Sequence, residues 1–163
     1  MKRILYTLSL VVATSLLIAA MQSPTNDLKK TFSEGNPGIA SIHSMSFGPE
    51  GILFLGDSDN AAIYAIDTKD NQPVEKSENI AMEDFDVKIA AALGTTPDKI
   101  RITDMAVNPT SKIVYFSVHN QTGIPMLLKL VGDKLVHVDL TNVSYSETTL
   151  QEVVDKDAKD RRG

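Results

Sequence analysis

Ile42-His43-Ser44-Met45-Ser46-Phe47-Gly48-Pro49 and Ile102-Thr103-Asp104-Met105-Ala106-Val107-Asn108-Pro109 are two versions of one phrase. Isoleucine opens each, methionine and a large apolar residue follow at matching places, and proline closes it. Gly51-Ile52-Leu53-Phe54-Leu55 then matches Lys112-Ile113-Val114-Tyr115-Phe116, and Ala62-Ile63-Tyr64-Ala65-Ile66 matches Met126-Leu127-Leu128-Lys129-Leu130. Such self-similarity points to a repeat architecture. Each copy reads strand, tight turn, strand, loop, strand. Pro49-Glu50-Gly51 and Pro109-Thr110-Ser111 supply the turn, because proline presets φ and glycine or a small polar residue completes the reversal. Met45 and Phe47 alternate with Ser44 and Ser46, the period of a half-buried strand. Ile52–Leu55 and Ile113–Phe116 are unbroken apolar runs, expected of strands covered on both faces.

A fourth strand is expected in each copy. In the second it is Lys134 to Leu140, entered through the hairpin turn Gly132-Asp133. In the first it is weaker and falls between Gln72 and Glu78. Between the copies, Phe85, Ile89, Ala92 and Leu93 have helical spacing and Gly94 is a stop. Thr96-Pro97-Asp98 reads as the cap and first turn of a second short helix. This insertion is either a surface excursion packed on a sheet or a lid or docking element. The expected fold class is therefore mainly β: two antiparallel four-stranded blades of the propeller type, a partial β-propeller with a helical insertion. The blades are expected over 39–80 and 101–142, with the insertion at 83–100.

The 163 residues suit one domain or part of one. Composition is ordinary for a globular protein, at 42% hydrophobic and 23% charged. The net charge of −5 argues against a nucleic-acid partner. Cysteine is absent, which excludes disulfides, thiolate metal sites and cysteine nucleophiles. Lys2 and Arg3 precede an uncharged run from Ile4 to Ala20. Residues 1–20 therefore read as a secretory signal peptide, and 21–38 as a polar linker. A retained N-terminal anchor is the other reading, and only then is a membrane a partner. An exported acidic domain without disulfides suits the periplasm, cell surface or surroundings of a bacterium. Residues 143–163 turn polar and read as a tail or an inter-blade connection.

Ser46-Phe47-Gly48-Pro49-Glu50-Gly51-Ile52-Leu53-Phe54-Leu55-Gly56-Asp57 and Asp104-Met105-Ala106-Val107-Asn108-Pro109 resemble the blade starts of exported bacterial β-propeller repeat proteins of the NHL-like and YVTN-like kinds. The resemblance implies the architecture and says little about activity. It also implies that the chain is the front part of a longer propeller, or that copies associate to complete one, since a propeller closes with 4–8 blades.

Gly56-Asp57-Ser58-Asp59-Asn60 is the densest polar cluster. Asp57, Asp59 and Asn60 could ligate a hard cation such as Ca²⁺. The same residue types are ordinary turn formers. The matching loop of the second copy carries His119 and Asn120, so the two loops together are a candidate ligand surface. His119 with Asp57 is a possible acid–base pair if the sheets bring them together. Asp104, a lone charge in an apolar strand, reads as structural. No nucleophile elbow, phosphate loop or dinucleotide fingerprint is present. The expected function is a noncatalytic binding or scaffold module for a protein or small-molecule ligand, with further blades in cis or in trans as partners. The alternative is a fragment of a lactonase- or quinoprotein-type propeller enzyme whose active site lies mostly outside this chain.

Overall fold

The computed structural model of the chain describes residues 28–73 and 82–151. The chain divides into two units, Met1–Lys30 and Thr31–Gly163. The leader expected over 1–20 lies outside the described residues, and every described strand and helix belongs to the second unit. Among the described residues, no helix is long and apolar enough to cross a membrane.

The elements in order are β1 (Ser33–Gly35), β2 (Ser44–Phe47), β3 (Ile52–Asp57), β4 (Ala62–Asp67), α1 (Phe85–Ala92), β5 (Ile100–Val107), β6 (Val114–Asn120), β7 (Pro125–Val131), β8 (Lys134–Val138) and β9 (Val143–Thr149). They form two antiparallel sheets. One has five strands in the order β1-β9-β4-β3-β2, the other four in the order β5-β6-β7-β8. The protein is thus mainly β with one helix, in two sheets of unequal size.

Two sequence expectations need correction. The first sheet has five strands, and its strand beyond β4 is not the expected 72–78. Gln72 and Pro73 are outside any strand, and the rest of that stretch lies outside the described residues. The place beside β4 is taken by β9, with Ala62 opposite Thr149 and Ile66 opposite Tyr145. The polar stretch read as a tail therefore begins as a strand. The reason is that one face of this sheet is open: Val143 and Tyr145 suffice for the core side, while Ser144, Ser146 and Thr148 can face water.

The tight turns follow their chemistry. Glu50 and Gly51 both take left-handed φ, 56° and 70°. A Cβ on Gly51 would lie 2.8 Å from the Asp70 carbonyl oxygen, so this turn demands glycine. In the second copy Asn108 does the work with its side chain. Its Oδ1 accepts from Thr110 N at 2.9 Å and Ser111 N at 3.3 Å, an Asx turn. Its Nδ2 donates to Asp70 O at 2.6 Å. Asp70 Oδ2 also accepts from Ser111 Oγ and Tyr115 OH, at 2.8 and 3.1 Å. This network links the turn of the second copy to the chain leaving β4. Burial, then the Asp70 charge, pushes the Tyr115 phenol well above its ordinary pKa.

The sheets pack face to face. Leu53, Leu55, Tyr64 and Ile66 of the first meet Ala106, Tyr115 and Leu127 of the second. Each such side chain contributes about 1.5–3 kcal/mol when fully buried. The edge strands β2 and β5 are joined through side chains. Asp104 Oδ2 accepts from Met45 N at 2.6 Å, and Thr103 Oγ1 donates to Ile42 O at 2.7 Å. Thr103 can do so because the β5–β6 register shifts between Ile102 and Asp104, a bulge that re-aims one side chain.

The far side of the second sheet is covered by α1. Ile89 is fully buried against Phe116, Val118, Leu128 and Leu130, and the Phe85 and Phe116 rings lie 4.7 Å apart. Val114, Phe116, Leu128 and Leu130 are the repeat counterparts of Leu53, Leu55, Tyr64 and Ile66. The helix therefore stands to the second sheet as the second sheet stands to the first. The central β6 residues are accordingly buried on both faces. The matching expectation fails for β3, where Phe54 is 40% exposed while its counterpart Tyr115 is 1% exposed. Nothing among the described residues covers the outer face of the first sheet as α1 covers the second.

Candidate functional site

The segment Ala40–His43 runs into β2 past the ends of β3 and β6, and its four successive N–H groups need acceptors. Ala40 N donates to Asp57 Oδ2 at 2.7 Å and Ser41 N to Asp57 Oδ1 at 3.1 Å. Ile42 N donates to His119 Nε2 at 3.0 Å. His43 N donates to Gly56 O at 3.1 Å. Asp57 and His119 are thus brought to one backbone segment, with neighbouring N–H groups as their targets. They are not joined to each other as an acid–base pair.

Asp57 ends β3 and is 2% exposed. Besides those two bonds it accepts from Ser41 Oγ at 2.7 Å, Asp59 N and Asn60 N at 3.1 Å each, and Asn60 Nδ2 at 2.9 Å. Burial alone would raise its pKa. The bonds from Ser41, Ala40, Asn60 and Asp59 outweigh that and hold the carboxyl below its ordinary value. Donors surround both oxygens, an arrangement made for a carboxylate. A Ca²⁺ ion at Asp57 and Asp59 would have to displace these N–H groups, so the geometry favours the turn reading of this cluster. Among the described residues, no group of three or more His, Cys, Asp or Glu side chains is assembled to hold a metal. Asn60 is spent likewise, its Nδ2 also donating to Gly38 O at 3.1 Å. Asn120 Oδ1 accepts from Thr122 N, Thr122 Oγ1 and Ile124 N within its own loop, at 3.0, 2.8 and 2.9 Å.

Around His119 the two sheets converge. The ring of His43 meets that of His119 edge-on at 5.0 Å. His43 Nδ1 lies 2.8 Å from Ser58 Oγ, and its Nε2 lies 3.5 Å from Arg101 Nη2. Arginine can only donate, so a bond at this long distance would make Nε2 the acceptor and turn the Nδ1 proton toward Ser58. The pair has the distance of a serine–histidine dyad, and in that tautomer the hydroxyl receives the hydrogen bond where a nucleophile would donate it. Arg101 faces His119 across the β5–β6 ladder. Beside them opens a cleft of about 350 Å³ lined by Asp98, Lys99, Arg101, His119, Asn120 and Gly123 among others.

No known protein family, curated protein or solved structure matches this chain.

The site therefore stands on its own geometry. Of the five residues marked in the sequence, Asp57 and Asn60 are turn keystones, and the Asp59 amide joins the same turn. His119 and Asn120 reach the cleft. The sequence reading missed Arg101 and Lys99, took Ser58 only as part of the polar cluster, and did not mark His43 as a site residue. The signal for Arg101 was its place across from His119, which only the register after the Thr103 bulge supplies.

His119 has a consequence for acid stability. Burial first, then the neighbouring His43 and Arg101, lowers its pKa beneath the ordinary 6.5, against the Asp59 charge. A group with a depressed folded pKa contributes stability that is present above its unfolded pKa. That stability is lost as the pH falls through the folded value. Stability should thus decline below about pH 6.5, because the unfolded chain takes up the proton first. His119→Gln keeps an acceptor for Ile42 N and cannot titrate. Urea midpoints measured from pH 7.5 to 5 should fall less steeply for this variant than for the wild type. Identical slopes would remove His119 from this role.

Proposed function

We propose that the chain is an exported binding module built from propeller-type blades, with the strand-end cleft as its ligand surface. The observation that carries the reading is the meeting of equivalent loops from the two sheets. His119 and Asn120, at the end of β6, line the cleft with Arg101, and Ser58, from the loop after β3, is linked to Arg101 through His43 outside the lining. Such loops held by a rigid sheet scaffold are where binding functions concentrate. The propeller character is supported by side-by-side edge strands at matching repeat positions. Binding is favoured over catalysis because the polar groups that could serve as bases are committed. Asp57 and His119 are held by backbone N–H groups. Export is supported by Lys2, Arg3 and the uncharged run Ile4–Ala20.

The test is an amide-resolved NMR screen of the full chain against a library of small polar fragments. Ligands should shift Arg101, His119 and Asn120 together. A library whose binders map elsewhere, or that yields none, overturns the reading. Protein recovered from its native cell should begin near Met21. A chain retaining Met1 in the cytoplasmic fraction would remove the export component.

A further inference from the structure

We infer that the strand-end cleft takes the anionic group of a small ligand, a carboxylate or a phosphate, held by Arg101 and Lys99 with His119 Nδ1–H as a fixed donor. The inference rests on the binding-module reading and narrows it to one ligand chemistry.

The cleft volume, about 350 Å³, is at the small end of the range for small-molecule sites. Its chemistry is donor-rich in a chain that is acidic as a whole, with 21 acidic against 16 basic residues. Arg101 makes no hydrogen bond to a carboxylate among the described residues; its side-chain contact is the long one to His43 Nε2. The planar guanidinium thus keeps a fork of donors for an anion, and such charge-assisted, bidentate pairs are the strong ones. Lys99 adds a second permanent cation to the lining. His119 is 4% exposed and cannot turn away, because its Nε2 accepts from Ile42 N. That bond fixes the proton on Nδ1, which is left to donate. Asn120 spends its oxygen inside its loop, so its amide group is again a donor. Asp98 is the one carboxylate of the lining, and it is held by the Thr96 side chain. Two permanent cations and two neutral donors against one carboxylate favour an anion. A cationic ligand would meet the charges of Arg101 and Lys99.

The experiment is an NMR titration of the full chain with inorganic phosphate, with acetate and with glycerol at constant ionic strength. Phosphate or acetate should give saturable shifts at Arg101, His119, Asn120 and Gly123. The anion that binds identifies the class, and glycerol should give none. Arg101→Gln should weaken binding about tenfold, as expected for loss of a charged hydrogen-bond pair. Lys99→Gln should also weaken it. Lys134→Gln, exposed on β8, should leave it unchanged. Failure of both anions to saturate overturns the inference, as does equal weakening by Lys134→Gln. If neutral fragments occupy the cleft while both anions fail, the binding-module reading stands and the anion falls. If nothing occupies it, both fall.

Discussion

Replacing Asp57 with alanine is expected to remove a large share of the folding stability of the protein. The substitution strips the acceptor from the Ala40, Ser41, Asp59 and Asn60 amides at once. A buried donor left without a partner costs about 1–3 kcal/mol. The Ser41 bond is buried and the other three are part-buried and open to rescue by water, so the sum comes to about 3 kcal/mol, against a total stability of about 5–15 kcal/mol. Asp57→Asn keeps one oxygen but turns an amide group toward existing donors, and about 2 kcal/mol should be lost. Denaturant midpoints of the three proteins at pH 7 measure this. A loss below about 1 kcal/mol for the alanine variant would show that the carboxylate is not what orders residues 40–43. The pKa direction adds a pH signature. The carboxyl is held below its ordinary 3.8, so its contribution is present above that pH and is lost as the pH falls through the folded value. The alanine variant should lack this acid-side decline.

Ending the chain at Asn142 should be more severe. β9 pairs with β4 on one side and, on the other, is the only sheet partner of β1 among the described residues. Removing it withdraws Val143 and Tyr145 from the core, where the Tyr145 ring lies 6.5 Å from that of Tyr64. It also leaves β4 with a bare row of N–H and C=O groups, an invitation to aggregate. The lost ladder bonds, at about 1 kcal/mol each net, and the lost apolar burial together rival the whole stability. The truncated chain should show no cooperative thermal transition and should elute as aggregate. A cooperative, monomeric truncation would mean that β9 is dispensable, as a tail would be. Tyr145→Ala is the gentler companion, with an expected loss of about 1–3 kcal/mol.

These two residue sets also show what could be read in advance. β2 to β7 were legible because the phrase repeats, because Pro49 and Pro109 punctuate it and because the apolar runs are long. β9 was hidden in Val143-Ser144-Tyr145-Ser146-Glu147-Thr148-Thr149, where alternation is present but only two positions are apolar. A strand with one wet face needs no more than that, and polarity alone does not separate it from a tail. Asp57 and Asn60 were found as a polar cluster, but the sequence left turn and metal open. What favours the turn is the approach of Ala40 and Ser41 from far along the chain. The cleft was half visible: His119 and Asn120 were marked as loop residues. Arg101 joins them only through the Thr103 bulge, and a single extra residue in a ladder leaves no periodic trace.

The position of α1 bears on symmetry. A stack extended by repeating its own sheet-on-sheet contact would be heterologous, the far side of one copy meeting the near side of the next. Such contacts close into rings or run on as filaments. Here the far side is occupied by Ile89 and Phe85, while among the described residues the β5 margin at Met105 and Val107 stays open, 57% and 49% exposed. The near side, with Phe54 and Ile63 at 40% and 43% exposure, has no such cover among the described residues. With one side blocked, head-to-tail propagation requires the helix to leave. A contact that set the open side of one copy against that of another would instead be isologous and complete at two.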